Sequence, residues 1–174
     1  LEFDGTILTL DLATNFGWCL GTPTVAEPRF GHHTLPSTGE NIGRFACAFE
    51  DWLTAFLTAE KPSLVVFEAP ILPRQTTPGT VRKLSGLVWE TERVCKRLGI
   101  KCREGRKASV NKYFAGHGWA KKDDTIAICR RYGWRVRNDD EADACALWAF
   151  VISKVAPNAA MRFALGPLGA GRAA

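Results

Sequence analysis

No stretch of this sequence is apolar for long enough to cross a bilayer. The run ending at Val66-Phe67 and the run from Ala144 to Ile152 fall well short of the roughly 18 apolar residues a spanning helix needs, so no membrane partner is expected. The opening residues, Leu1-Glu2-Phe3-Asp4-Gly5, lack a basic region followed by an apolar one with a small-residue cleavage site, and no secretory address is expected from them. No C-x-x-C pair exists among Cys19, Cys47, Cys95, Cys102, Cys129 and Cys145. With 46% hydrophobic residues the chain has enough apolar surface to build a core without bridges, so the thiols read as reduced core filler rather than as a disulfide or zinc framework. His32, His33 and His117 lack metal-ligand spacing and read as loop or surface residues. No serine sits in a nucleophile elbow, no Walker-type glycine-rich loop is present, and neither repeats nor long low-complexity blocks occur.

What is present fits one domain: 174 residues, with residues 1–156 forming the folded unit and the Ala/Gly/Pro-rich stretch 157–174 expected as a loose tail. The net charge of +5 is unevenly spread. Between Arg74 and Arg137 stand 17 Lys/Arg against 5 Asp/Glu, while the rest of the chain holds 6 basic and 13 acidic residues. Such a split suits a polyanion-binding face beside a separate acidic cluster, or a set of solvated basic helix faces; the charge alone does not choose.

Hydrophobic patterning predicts short strands over residues 6–12, 16–20 and 29–35, which together read as an antiparallel meander. Ile42, Phe45, Phe49, Trp52 and Phe56 recur at spacings of three and four, predicting an amphipathic helix over 40–57. Leu64-Val65-Val66-Phe67 is a continuous apolar run, the pattern of a strand covered on both faces, and it ends at Glu68. Pro70, Pro73, Pro78 and Gly79 mark a loop, followed by a second long helix from Val81 to Leu98 and a strand over 100–103. Helices are then expected over 109–114, 122–132 and from Asp139 to about Lys154. This order of elements is that of an α/β fold with a mixed sheet.

Four carboxylates stand out. Asp11 lies among Ile7, Leu8, Leu10 and Leu12, where an ionised side chain is costly unless a cation compensates it, and Glu68 closes the most apolar strand. The carboxyl ends of strands are where α/β sheets usually hold ligands. Asp140 and Asp143, three apart, project from one helix face among small alanines. An acidic helix start is the plain alternative for that pair, and Asp139 and Glu141 read as a cap and surface charge. Carboxylates that converge must bind protons or a hard cation, and Mg²⁺ suits oxygen donors beside a phosphate. Two such ions would serve phosphodiester hydrolysis, with the basic belt holding a nucleic-acid backbone.

Ile7-Leu8-Thr9-Leu10-Asp11-Leu12-Ala13-Thr14-Asn15-Phe16-Gly17-Trp18, Val65-Val66-Phe67-Glu68-Ala69-Pro70 and Asp140-Glu141-Ala142-Asp143-Ala144-Cys145-Ala146 together resemble the three acidic motifs of RuvC-type Holliday-junction resolvases, and the Asp-Leu-Ala-Thr-x-x-Gly-Trp form is similar to the bacteriophage and prophage branch. The resemblance runs from about residue 6 to 154. It implies an RNase H-like (retroviral-integrase-like) fold, a five-stranded mixed sheet flanked by helices, and a homodimer that cuts four-way DNA junctions by paired phosphodiester hydrolysis in the cytoplasm of a bacterial or phage-infected cell. It implies that Asp11, Glu68, Asp140 and Asp143 are catalytic carboxylates holding two Mg²⁺ or Mn²⁺ ions, that Lys122 is a catalytic-site lysine, and that the helix from about Thr80 to Leu98 is the dimer element. The position of a second family lysine is taken by Asn111, with Lys112 next to it. An aromatic that stacks on bases in many members is replaced by Ile71, which can wedge between bases but has no π-face. Arg74, Arg82, Lys83, Lys112 and Lys121 are the expected DNA contacts. Other expectations compatible with the motifs are a different RNase H-like nuclease, acting on RNA–DNA hybrids or general branched DNA, and a junction-binding protein without catalysis. A kinase-like ATPase of the wider architecture would need two such domains and glycine-rich phosphate loops.

Overall fold

The computed structural model describes residues 2–72, 74–116 and 121–164. Its centre is one five-stranded sheet in the order β3-β2-β1-β4-β5. Strands β1 (Ile7–Asp11), β2 (Asn15–Gly21) and β3 (Arg29–Thr34) form the antiparallel meander, and β4 (Leu64–Glu68) and β5 (Lys101–Gly105) add to β1 in parallel, so the sheet is mixed.

The two faces follow from the alternation of side chains along each strand. Leu8, Leu10, Leu20, Val65 and Phe67 point to one face, where helices α1 (Ile42–Glu60) and α2 (Pro78–Arg97) cover them with Phe45, Phe49, Leu53, Leu87 and Val94. Ile7, Cys19, Leu64 and Val66 point to the other, under α5 (Asp139–Val155), together with α3 (Lys107–Ala115) and α4 (Lys122–Arg131). The small side chains of Ala142, Ala144, Cys145, Ala146 and Ala149 let α5 lie close against the sheet, and Thr9 Oγ1 donates a hydrogen bond to the Ala144 carbonyl at 2.7 Å. That bond satisfies a hydroxyl buried in an otherwise apolar layer.

Several boundaries differ from the sequence reading. β5 runs two residues past the expected end at Arg103, and α3 begins at Lys107 rather than Ser109. α2 starts at Pro78, capped by Thr77, whose side chain accepts from the Thr80 N–H at 3.1 Å, an arrangement that suits proline in the first turn. The expected loose tail is corrected over its first part: residues Pro157–Ala164 form helix α6, and Ala160 and Phe163 join the core beside Trp134 and Trp148. The rest of the tail and His117 lie outside the described residues. All six cysteines carry free thiols. Among the described residues no helix is long and apolar enough to cross a membrane.

Candidate active site

β1 and β4 are parallel neighbours in a register that pairs Asp11 with Glu68, so two carboxylates stand side by side at the carboxyl edge of the sheet. The amino end of α5 meets them from the other side. It is held there by three features. Asn138 caps it, accepting from the Glu141 N–H at 3.0 Å. Gly17 on β2 has no Cβ, and a Cβ there would collide with the Asp140 backbone carbonyl. Glu141, expected as surface charge, is instead completely buried and anchors the turn. It accepts from the Arg137 backbone N–H at 2.8 Å, from the Arg137 guanidinium at 2.9 and 2.6 Å, and from His32 Nδ1 at 2.9 Å. A carboxylate so surrounded is one of the few that tolerates burial.

Asp11, Asp140 and Asp143 line an open cleft of about 400 Å³, shared with Ile71, Lys107, Asn111 and Lys122. Glu68 stands beside Asp11 on the neighbouring strand, 2% exposed, with Oε1 buried and without a hydrogen-bond partner. Lys107 reaches into the carboxylates from the start of α3: its Nζ lies 2.9 Å from Asp143 Oδ2, 3.3 Å from Glu68 Oε2 and 3.9 Å from Asp11 Oδ1.

The electrostatics follow from this geometry. Burial pushes the Asp11 carboxyl up to about 7; Lys107 works against the rise, and Asp143, Glu68 and Asp140 add to it. Burial likewise raises Glu68, with Lys107 opposing. Burial also raises Asp140, with Asp139 beside it adding to the shift. Burial disfavours the charged form of Lys107, but Asp11, Glu68 and Asp143 outweigh it and hold the ammonium above its ordinary range.

The other expected residues are distributed around this centre. Lys122 borders the cleft at the first position of α4, but its Nζ pairs with Asp139, and the side chain is largely exposed. Ile71 stands 75% exposed on the rim, an unusual position for a large aliphatic side chain. Arg74, Arg82, Lys112 and Lys121 are exposed. Lys83 is already engaged: its Nζ donates to the Gly39 carbonyl at 2.5 Å and lies 5.3 Å from the centre of the Phe45 ring.

Lys107, His32 and the buried role of Glu141 were not read from the sequence. The signal for Lys107 was available in principle. Arg106 and Lys107 place two cations at the amino end of a helix that has no acidic residue in its first turn and no side-chain cap, against the preference of the helix dipole. Such a lysine needs a partner from elsewhere in the fold.

The donor set of Asp11, Glu68, Asp140 and Asp143 is all oxygen, and the buried, partnerless Glu68 Oε1 is a donor with nothing to serve, which fits a hard divalent cation. Among the described residues, however, no three Asp, Glu, His or Cys side chains are gathered as a ready ligand set. Asp11, Glu68 and Asp143 converge on the Lys107 ammonium.

No family model matches the sequence, and no curated protein matches it. Solved structures do. The chain is similar to Thermus thermophilus RuvC, with a TM-score of 0.64 at 19% identity over 81% of this chain and 89% of that one. It is similar to T. thermophilus RuvC in complex with a Holliday junction substrate, with a TM-score of 0.66 at 18% identity over 82% and 89% of the two chains. It is also similar to Ydc2, the yeast mitochondrial Holliday junction resolvase, with a TM-score of 0.64 at 14% identity over 90% and 83%. The fold is thus the RNase H-like mixed sheet flanked by helices.

Proposed function

We propose that this protein is a metal-dependent endodeoxyribonuclease that resolves four-way DNA junctions by paired phosphodiester hydrolysis. The observation that carries the reading is the meeting of Asp11, Asp140 and Asp143 in one open cleft, with Glu68 paired beside Asp11, at the carboxyl edge of a sheet whose fold is shared with RuvC bound to a Holliday junction. The sequence motifs favour the bacteriophage and prophage branch of such enzymes, acting in the cytoplasm.

Asp11, Glu68, Asp140 and Asp143 would hold two Mg²⁺ or Mn²⁺ ions. Such ions supply an activated water and stabilise the leaving oxygen of an in-line displacement. The chain's own residues do the rest. Asp11, paired with Glu68 in the sheet register, would be the donor shared by the two ions. Lys122, released from Asp139, orients the scissile phosphate at the cleft mouth. Arg74, Arg82, Lys112 and Lys121, and Lys83 once released from the Gly39 carbonyl, hold backbone phosphates, and Ile71 wedges at the junction centre. Opposed cuts need two sites. The outer flank of α2 exposes Trp89, with Leu72 of the preceding loop also exposed, and this apolar flank is the surface we assign to a homodimer.

Asp11→Asn tests the reading. It should reduce junction cleavage by about a hundredfold or more, several kcal/mol of transition-state stabilisation. Junction affinity by gel shift should stay within a factor of about two, because the phosphate contacts lie elsewhere. Undiminished cleavage by that variant contradicts the assignment.

A further inference from the structure

The position of Lys107 asks for an explanation that DNA binding alone does not give. It is 35% exposed on its side chain and points inward, away from the open basic surface, to three carboxylate oxygens. It gains nothing for its own helix, where an uncapped, basic amino end opposes the dipole. It is brought to the site by the end of β5, where Gly105 leaves so little room against Leu147 of α5 that a Cβ would lie 2.8 Å from Cδ1. The lysine is therefore held beside Asp143 by the close approach of the end of β5 to α5.

Asp143 Oδ2 and Glu68 Oε2, the two oxygens nearest to Nζ, belong to the donor set assigned above to divalent ions. One oxygen cannot face an ammonium at hydrogen-bond distance and a divalent cation from the same side, since the two cations repel. We propose that Lys107 is an exchangeable counter-cation of the carboxylate site, holding Asp11, Glu68 and Asp143 together in the metal-free protein and leaving them when a divalent ion binds. The proposal rests on the metal-dependent reading and says how this chain's site is kept assembled without metal. Once displaced, Nζ remains in the cleft beside Asn111 and Lys122, where a phosphodiester is the available anion.

Two measurements on the full chain without DNA test this. In the wild type, reductive methylation of Lys107, read by mass spectrometry, should accelerate several-fold when Mn²⁺ saturates the protein. In Lys107→Met, which keeps the length of the side chain, Mn²⁺ affinity by titration calorimetry should rise about tenfold, in the usual range for two coupled ligands, and the metal-free melting temperature should fall. Mn²⁺ binding of equal or lower affinity in Lys107→Met overturns the exchange and leaves the metal-dependent reading standing. If neither protein binds Mn²⁺, both readings fall. Should the variant not fold, the wild-type labelling decides alone, and a rate unchanged by bound Mn²⁺ overturns the proposal.

Discussion

Asp11 is half-buried at the cleft and Glu141 completely buried, and their surroundings push the two carboxyls in opposite directions. Burial raises Asp11 to about 7, aided by Asp143, Glu68 and Asp140 and opposed by Lys107. For such a group the stabilising share is complete below the unfolded pKa, near 4, and is lost as pH rises through the folded value. Without divalent ions the protein should therefore lose on the order of a few kcal/mol between about pH 4 and pH 7 through Asp11, and Asp11→Asn should flatten that fall. Urea unfolding of both proteins at pH 4.5 and pH 8 checks it; an identical stability difference at the two pH values contradicts it. Burial by itself would raise Glu141 too, but the Arg137 and His32 hydrogen bonds outweigh it and hold it below the ordinary value. Its contribution is present above the unfolded glutamate pKa and is lost as pH falls below it. Glu141→Ala should cost about 2 kcal/mol at neutral pH, the scale of lost charge-assisted bonds, because Arg137 and His32 can turn to water. A cost below about 0.5 kcal/mol in the same unfolding assay would show that the cluster does not anchor α5.

At the scale of elements, the site depends on how closely α5 approaches the sheet. Gly17→Ala places a methyl group against the Asp140 backbone carbonyl, a contact that cannot be relieved by turning a side chain. It should destabilise the fold by about 3 kcal/mol and lower cleavage further than the stability loss explains, since Asp140 and Asp143 move with the helix. Thermal melts and single-turnover cleavage measured together check this, and a variant with wild-type values in both would exclude the close approach. The elements also show what the sequence could and could not reveal. Helix α1 is legible because its apolar residues recur at spacings of three and four, and β4 because it is one continuous apolar run bounded by turn residues; the same strand ends and the start of α5 expose the four carboxylates. β5 is different. Only Cys102 and Gly105 are even partly covered, so nothing in its pattern marks the two residues that extend it to Gly105. With the strand ended early and α3 started late, Lys107 falls into a loop and loses its connection to the site. Glu141 reads as surface charge for a related reason: its burial depends on His32 from β3 and Arg137 from the preceding loop, partners that no local spacing displays. The α6 helix was hidden by an Ala/Gly/Pro-rich composition that says little about packing against Trp134 and Trp148.

For the whole molecule, the basic belt and the acidic cleft are parts of one account, and its salt dependence follows. Junction affinity should fall steeply with salt, and Arg74→Ala or Arg82→Ala should each reduce the slope of log affinity against log salt by about 1. A slope unchanged by both would remove them from the contact surface. The α2 flank supplies another molecular-scale expectation: Trp89→Glu should shift the protein from dimer to monomer in analytical ultracentrifugation and abolish paired cutting, while a variant that stays dimeric would place the interface elsewhere. The most direct measurement is cleavage of an end-labelled synthetic four-way junction beside linear duplex, Y-fork and RNA–DNA hybrid, with Mg²⁺ and with EDTA. The account predicts symmetrically paired nicks in opposed strands of the junction, only with Mg²⁺. Preferential cutting of the hybrid, or tight junction binding with no nicks at any Mg²⁺ or Mn²⁺ concentration, would contradict it.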